Sequence, residues 1–143
     1  MAQPIPVVLC GRTEKIGTAV IAALKPEFEV IHFIMTPEAG LVQIPALLRG
    51  EADVPSDSEL GSKSYERGVG AIILGAGYED EDIQRLREAA GTLSTVPWLR
   101  PDTTKPAPPL GPAYGQALVE RIKETVNELQ ASAKLAKDAV VWY

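Results

Sequence analysis

Short apolar runs alternate along this chain with segments of helical period, the pattern that a parallel sheet covered by helices on both faces requires. Residues 6–10 (PVVLC) are apolar and closed by Gly11, as a strand buried on both faces should be. In residues 14–24, Ile16, Val20, Ala23 and Leu24 fall at helical spacing, with Thr13 placed to cap the start and Pro26 beyond the end. Residues 29–34 (EVIHFI) read as a second strand. Residues 41–49 predict a short helix with Pro45 in its first turn, and residues 50–63 a polar surface loop with at most an edge strand at 52–54.

The pattern sharpens again at residues 69–74 (VGAIIL), a strand that runs into Gly75-Ala76-Gly77. Asp80 is placed to cap a helix whose apolar face is Ile83, Leu86 and Ala90, stopped by Gly91. Residues 95–99 (TVPWL) predict a fourth strand, in which Pro97 demands a sheet edge or a strand start because it donates no ladder hydrogen bond. Six of the 12 prolines lie within residues 97–112, so that connection is stiff and extended. Residues 114–131 form the clearest amphipathic helix, with Leu118, Ile122, Val126 and Leu129 on one face. Residues 139–143 (AVVWY) close with a short strand whose Trp142 and Tyr143 are expected against a core or a second subunit. The expected fold is an α/β three-layer sandwich with a mainly parallel, Rossmann-like sheet of four or five strands in the order 3-2-1-4-5. A flavodoxin-like order, 2-1-3-4-5, is the alternative, because counting elements does not separate the two.

At 143 residues, with no linker and no internal repeat, the chain is expected to be a single domain, residues 1–143. A net charge of −5 argues against a phosphate-backbone contact surface, so no nucleic acid is expected as a partner. The lone Cys10 excludes an intramolecular disulfide and suits a reducing compartment. The first residues carry no basic, apolar leader, and no run of about 18 apolar residues occurs, so a cytoplasmic protein with no membrane partner is expected.

The residues with the most chemical promise join the first strand to the first helix, Cys10-Gly11-Arg12-Thr13-Glu14-Lys15-Ile16-Gly17. Gly11 permits a tight turn, the amides of residues 13–16 open the helix, and its dipole attracts an anion there. Gly17 lets the helix pack closely on the sheet, while Arg12 and Lys15 bring positive charge to where a phosphate would sit.

In these residues the chain resembles the NAD(P)-binding Rossmann superfamily, in particular the amino-terminal half of the short-chain dehydrogenase/reductase group with its atypical, NmrA-like members. The family's glycine signature is matched at Gly11, Ile16 and Gly17 and missed at Cys10, Glu14 and Lys15. Further likeness lies in EVIHFIMTPEAG, ADVPSDSEL and GVGAIILGAG, so coverage is roughly residues 6–77. The resemblance implies a cofactor site at Gly11, Arg12, Thr13, Lys15, Ile16, Gly17, Thr36, Gly75 and Gly77. No carboxylate ends the second strand, where Ile34, Met35 and Thr36 stand, so NADP is favoured over NAD. The family's catalytic Tyr-x-x-x-Lys is absent, since Val69, Asp82 and Leu118 follow Tyr65, Tyr78 and Tyr114 at that spacing.

Other candidates each carry a plainer reading. Cys10 near a helix start could be redox-sensitive, but such cysteines are usually core. His32, the only histidine, sits among apolar residues and reads as a core histidine; with one histidine and one cysteine, no metal is expected. The acidic run 79–82 is explained by the helix dipole. Arg100, Asp102 and Tyr114 lie past the fourth strand, on the side where open α/β sheets bind ligands, and either contact a substrate or serve the turn there.

Three functions follow as expectations. The first is a stand-alone module that binds NADP or another phosphorylated ligand at the glycine loop, as a sensor or accessory protein. The second is an enzyme acting on a small anionic metabolite at the carboxyl edge of the sheet. The third is an oligomeric scaffold, such as a homodimer, in which the loop is vestigial.

Overall fold

The computed structural model describes residues 4–51, 53–56, 58–75, 77–109, 112–135 and 137–143. Strands and helices alternate: β1 (Ile5–Cys10), α1 (Glu14–Leu24), β2 (Phe28–Ile34), α2 (Pro37–Leu48), β3 (Ala71–Leu74), α3 (Asp80–Ala90), β4 (Pro97–Arg100), α4 (Pro112–Ala131) and β5 (Ala139–Trp142). All strand pairs are parallel and the sheet order is β2-β1-β3-β4-β5. This is the flavodoxin-like order, and it corrects the expected 3-2-1-4-5.

The reason lies in the connection between α2 and β3. The Rossmann order needs a strand outside β2, and residues 52–54 were the expected source. Residue 52 lies outside the described residues, and residues 53 and 54 are not in a strand. Instead the loop lies along the β2 edge, where the Ser62 N–H donates to Val30 O at 2.9 Å and the Lys63 N–H to Ile31 O at 3.0 Å. Those carbonyls are what a further strand would have used, so the next strand inserts on the other side of β1.

Local signals explain the helix ends. Thr13 caps α1 and Thr36 caps α2, each hydroxyl accepting an amide three residues on, and Glu79 with Asp82 forms a reciprocal capping box on α3. The second helix starts at Pro37, four residues earlier than expected, because Pro37 stands in the first turn where its missing N–H costs nothing. Pro45 therefore lies inside the helix rather than in its first turn. Pro97 begins β4, satisfying one of its two options.

Strand residues alternate between two cores. Val8, Cys10, Ile72, Leu74 and Trp98 pack against Ile44 and Leu47 of α2 and Ile83, Leu86 and Ala90 of α3. Val7, Leu9, Ala71, Ile73 and Leu99 pack against Leu24 of α1 and Val119, Ile122 and Val126 of α4. Each fully buried large side chain of this kind contributes about 1.5–3 kcal/mol. The β2 register slips between Val7 and Val8 of β1, which pair with Val30 and His32, and this bulge at Ile31 changes the face to which the following residues point.

With α4 on the α1 side, the β4–α4–β5 crossing has the opposite hand to the other three, an exception to the near-universal single hand of such units. The proline-rich connection carries the chain around the carboxyl end of the sheet: Pro101 is buried, and the Asp102 N–H donates to Tyr143 O at 2.7 Å. Leu110 and Gly111, at its far end, lie outside the described residues. The consequence is asymmetric cover. On the α4 side Tyr143 is buried, whereas on the α3 side Val140 and Trp142 are 37% and 51% exposed.

Candidate functional site

At the carboxyl ends of β1 and β3 the structure assembles most of the expected cofactor residues, and fills the space between them with the chain's own groups. Arg12 crosses from one loop to the other: its Nε donates to Gly77 O at 2.9 Å, its guanidinium lies 4.9 Å over the Tyr78 ring, and Nη2 is 3.6 Å from Asp82. Gly77 is where it is because a Cβ there would stand 2.5 Å from Arg12 Cγ. Beneath the arginine, the Tyr78 hydroxyl donates to Ile34 O at 3.1 Å and also reaches Gly11 O. Burial, followed by the neighbouring Cys10, holds this phenol well above its ordinary range, so it remains a donor. Gly75 lies against the Cys10 carbonyl, and Ala76 lies outside the described residues.

The helix start is likewise engaged. Thr13 Oγ1 accepts from the Ile16 N–H at 3.3 Å, and the Glu14 carboxylate accepts from the Ser58 hydroxyl at 2.9 Å. Lys15 and Ile16 are exposed, and Thr36 serves as the α2 cap. Gly17 packs as expected, since a Cβ there would lie 2.6 Å from the Phe33 ring. Cys10 is fully buried, and desolvation pushes its thiol up to about 12, which suppresses the thiolate that redox chemistry needs.

The three residues expected past the fourth strand do not converge. Asp102 accepts from the Thr104 N–H at 3.0 Å and from its hydroxyl, the fold of a turn residue. Tyr114 stands in the first turn of α4, half-buried, on the opposite side of the sheet from α3. Arg100 pairs not with Asp102 but with Asp80, the first residue of α3.

Around Arg100 lies a groove of about 420 Å³, lined by Asp80, Ile83, Gln84, Arg87, Glu88, Arg100 and Val140. It occupies the strip that α4 would have covered had its crossing taken the usual hand. The Arg100 guanidinium stacks 4.2 Å over the ring of the exposed Trp142, within the range of a cation–π contact. Its Nη2 donates to Asp80 Oδ1, while Nε, on the same edge of the guanidinium, is buried and has no partner among the described residues. Half of a carboxylate-receiving fork is thus unused. Arg87, by contrast, is committed: both its terminal nitrogens bond Asp138, at 3.1 and 3.2 Å, and Asp138 also holds Ser94, which accepts from Trp98 Nε1.

Sequence reasoning missed Trp142 and Asp80 as neighbours of Arg100. Strand alternation held the signal for the first, since Tyr143 inward puts Trp142 outward; the second needed the sheet order. It also missed a buried chain on the other edge, where His32 Nε2 meets Gln43 Oε1 at 2.7 Å and His32 Nδ1 meets the Tyr65 hydroxyl at 2.8 Å. His32 is fully buried, as expected of a core histidine, and burial lowers its pKa below the usual 6.5. Among the described residues, no helix is long and apolar enough to cross a membrane.

No protein-family model matches the chain, and no solved structure matches it. It is 37% identical over 140 residues to Kojic acid related protein 6 of Aspergillus oryzae, an alignment spanning 95% of this chain and 84% of that protein. At that identity and coverage the common fold is inherited rather than coincidental, and the chain belongs to the same family as Kojic acid related protein 6.

Proposed function

We propose that the chain is a binding module for a small planar anion, held in the α3–β5 groove by Arg100. One observation carries this reading: Arg100 Nε is buried without a partner among the described residues while Nη2, on the same edge, is held by a single oxygen of Asp80. A buried polar donor left unpaired costs about 1–3 kcal/mol, and a ligand carboxylate or enolate spanning both nitrogens would recover it. The Asp80 side chain is 86% exposed, so its ion pair is screened and readily displaced. The Trp142 ring, under the Arg100 guanidinium, holds that side chain beside the groove by a cation–π contact. The position, at the carboxyl end of a parallel strand, is where open α/β sheets take ligands.

The NADP expectation at Gly11 to Gly17 comes from the short-chain dehydrogenase/reductase resemblance and enters here as a competitor in one experiment. Wild-type protein and the variants Arg100→Lys and Lys15→Glu are melted with small carboxylates, inorganic phosphate, NADP and kojic acid, the last because the relative's name carries it. A ligand at a hundred times its dissociation constant adds about 2.7 kcal/mol, several degrees for a domain of this size. The expected result is a shift with a ring-bearing or carboxylate anion that disappears in Arg100→Lys, where the fork is gone but the charge stays. A shift with NADP that survives Arg100→Lys and disappears in Lys15→Glu would overturn the groove reading and place the ligand at the glycine loop.

A further inference from the structure

The two edges of the sheet are finished differently. Along β2, the loop at residues 61–63 takes up the outward carbonyls of Val30 and Ile31. Along β5 no such cover exists among the described residues, and residues 139–142 (AVVW) carry no charge, proline or glycine, the devices by which solitary edge strands resist pairing. The backbone orientation of that edge is readable. Tyr143 N–H donates to Arg100 O at 2.9 Å and Tyr143 O accepts from Asp102 N–H, so both its groups face β4. Alternation along the strand then points both backbone groups of Trp142, and both of Val140, away from the sheet.

We infer that β5 pairs antiparallel with β5 of a second copy of this chain about a two-fold axis, with Val140 opposite Trp142 of that copy. Three requirements narrow the register, and the strand's neighbours then select it. Directly opposed residues share a face, and Val140 and Trp142 both stand exposed on the α3 face. Opposed residues that exchange hydrogen bonds must both have outward backbone groups, which is the property these two share. A two-fold axis demands that the pairing be its own mirror, and Val140 with Trp142 satisfies this twice, placing Val141 on the axis. Val140 opposite its own counterpart would set the bulky, uncharged Trp142 against Asp138, whose carboxylate is already tied to Arg87 and Ser94, and Trp142 opposite its own counterpart would leave only residues 141–143 in the ladder.

Pairing in this way makes one continuous sheet of both copies and lays Trp142 of the second copy beside Val140, a residue that lines the Arg100 groove. Each groove thereby gains an aromatic wall from the other copy, so the site becomes shared. The association itself does not depend on the anion reading, and the two fail separately.

The experiment is sedimentation velocity on the full chain, without ligand, for wild type, Arg100→Lys, Val140→Lys and Trp142→Lys. A dimer is expected for wild type and Arg100→Lys, and a monomer with unchanged far-UV circular dichroism for the two edge variants. Both edge positions are exposed, so neither substitution removes core contacts. Mild oxidation of Val141→Cys tests the register, since a residue on the axis meets its own counterpart; a covalent dimer is expected from it and not from Ala139→Cys. A wild-type monomer at 100 μM protein, as a chosen test concentration near the roughly micromolar range of weak pairing, would overturn the inference. So would a dimer that persists with lysine at both edge positions, and so would cross-linking through Ala139→Cys alone, which would refute the register.

Discussion

Arg12 lies across Gly77, donating from Nε to its carbonyl at 2.9 Å and so bridging the loops that follow β1 and β3. That bridge sits at the switch point of the sheet, where a doubly wound fold would ordinarily open a crevice for a ligand. With Tyr78 packed beneath it, the most promising stretch of the sequence closes on itself, and the open ground moves two strands along, to Arg100.

The two glycines flanking this region should differ in what they tolerate. Gly17→Ala drives a Cβ to 2.6 Å from the buried Phe33 ring, which has nowhere to go, and should cost about 1–3 kcal/mol in urea unfolding. Gly77→Ala meets the aliphatic stem of the more exposed Arg12, which can swing out, and should cost roughly 1 kcal/mol or less, the scale of an exposed contact. Equal costs would contradict this account of the two positions.

Cys10 should resist alkylation. Its thiol is fully buried and pushed up to about 12, so the thiolate fraction at pH 8 is negligible. Iodoacetamide at pH 8 should leave the folded protein unlabelled for hours, followed by mass spectrometry, and label it within minutes in denaturant. Rapid labelling of the folded protein would show that the strand end opens.

His32 should make the protein acid-sensitive. Burial is the main cause of its lowered pKa, with the charge of Lys63 adding to it and the Gln43 hydrogen bond opposing it. Above pH 6.5 the ring is neutral in both folded and unfolded chains and does not alter their balance. As the pH falls below 6.5, the unfolded chain takes up a proton that the folded one resists, and stability is lost until the folded pKa is passed. Urea midpoints should therefore drop more steeply between pH 7.5 and 5 for wild type than for His32→Asn. Parallel profiles would mean that His32 charges freely inside the fold.

Asp80→Asn should strengthen anion binding. The substitution leaves α3 its Glu79–Asp82 capping box but removes the carboxylate that competes for the Arg100 fork. Affinity for the anion should rise several-fold by calorimetric titration, at a stability cost of about 1 kcal/mol or less, as befits a mostly exposed ion pair. Weaker binding would instead make Asp80 part of the ligand's own contacts.

Apolar periodicity made the strands and helices legible, along with both β1 and α1 and the packing role of Gly17. The strand order was not, because residues 52–54 look like a weak strand, and only the Ser62 and Lys63 amides on the β2 edge show why none adds there. The hand of the β4–α4–β5 crossing was equally hidden: residues 114–131 are amphipathic whichever side they cover. The split between Tyr143, buried against the core, and Trp142, exposed on the single chain, was hidden for the same reason, since it depends on where α4 lies. Arg12 was legible as a cation of the loop, but its partners Gly77, Tyr78 and Asp82 were not, since they lie some 65 residues or more along the chain and become its neighbours only in the fold.

The most direct test of the account is the ¹H–¹⁵N resonance of the Arg100 Nε–H, which has no partner among the described residues and whose burial slows exchange enough for it to be observed. On titration with a small carboxylate or a ring-bearing anion, that signal should move saturably downfield together with the Trp142 indole signal, while the amides of residues 13–16 stay in place. Movement of those amides with an unchanged Arg100 signal would contradict it.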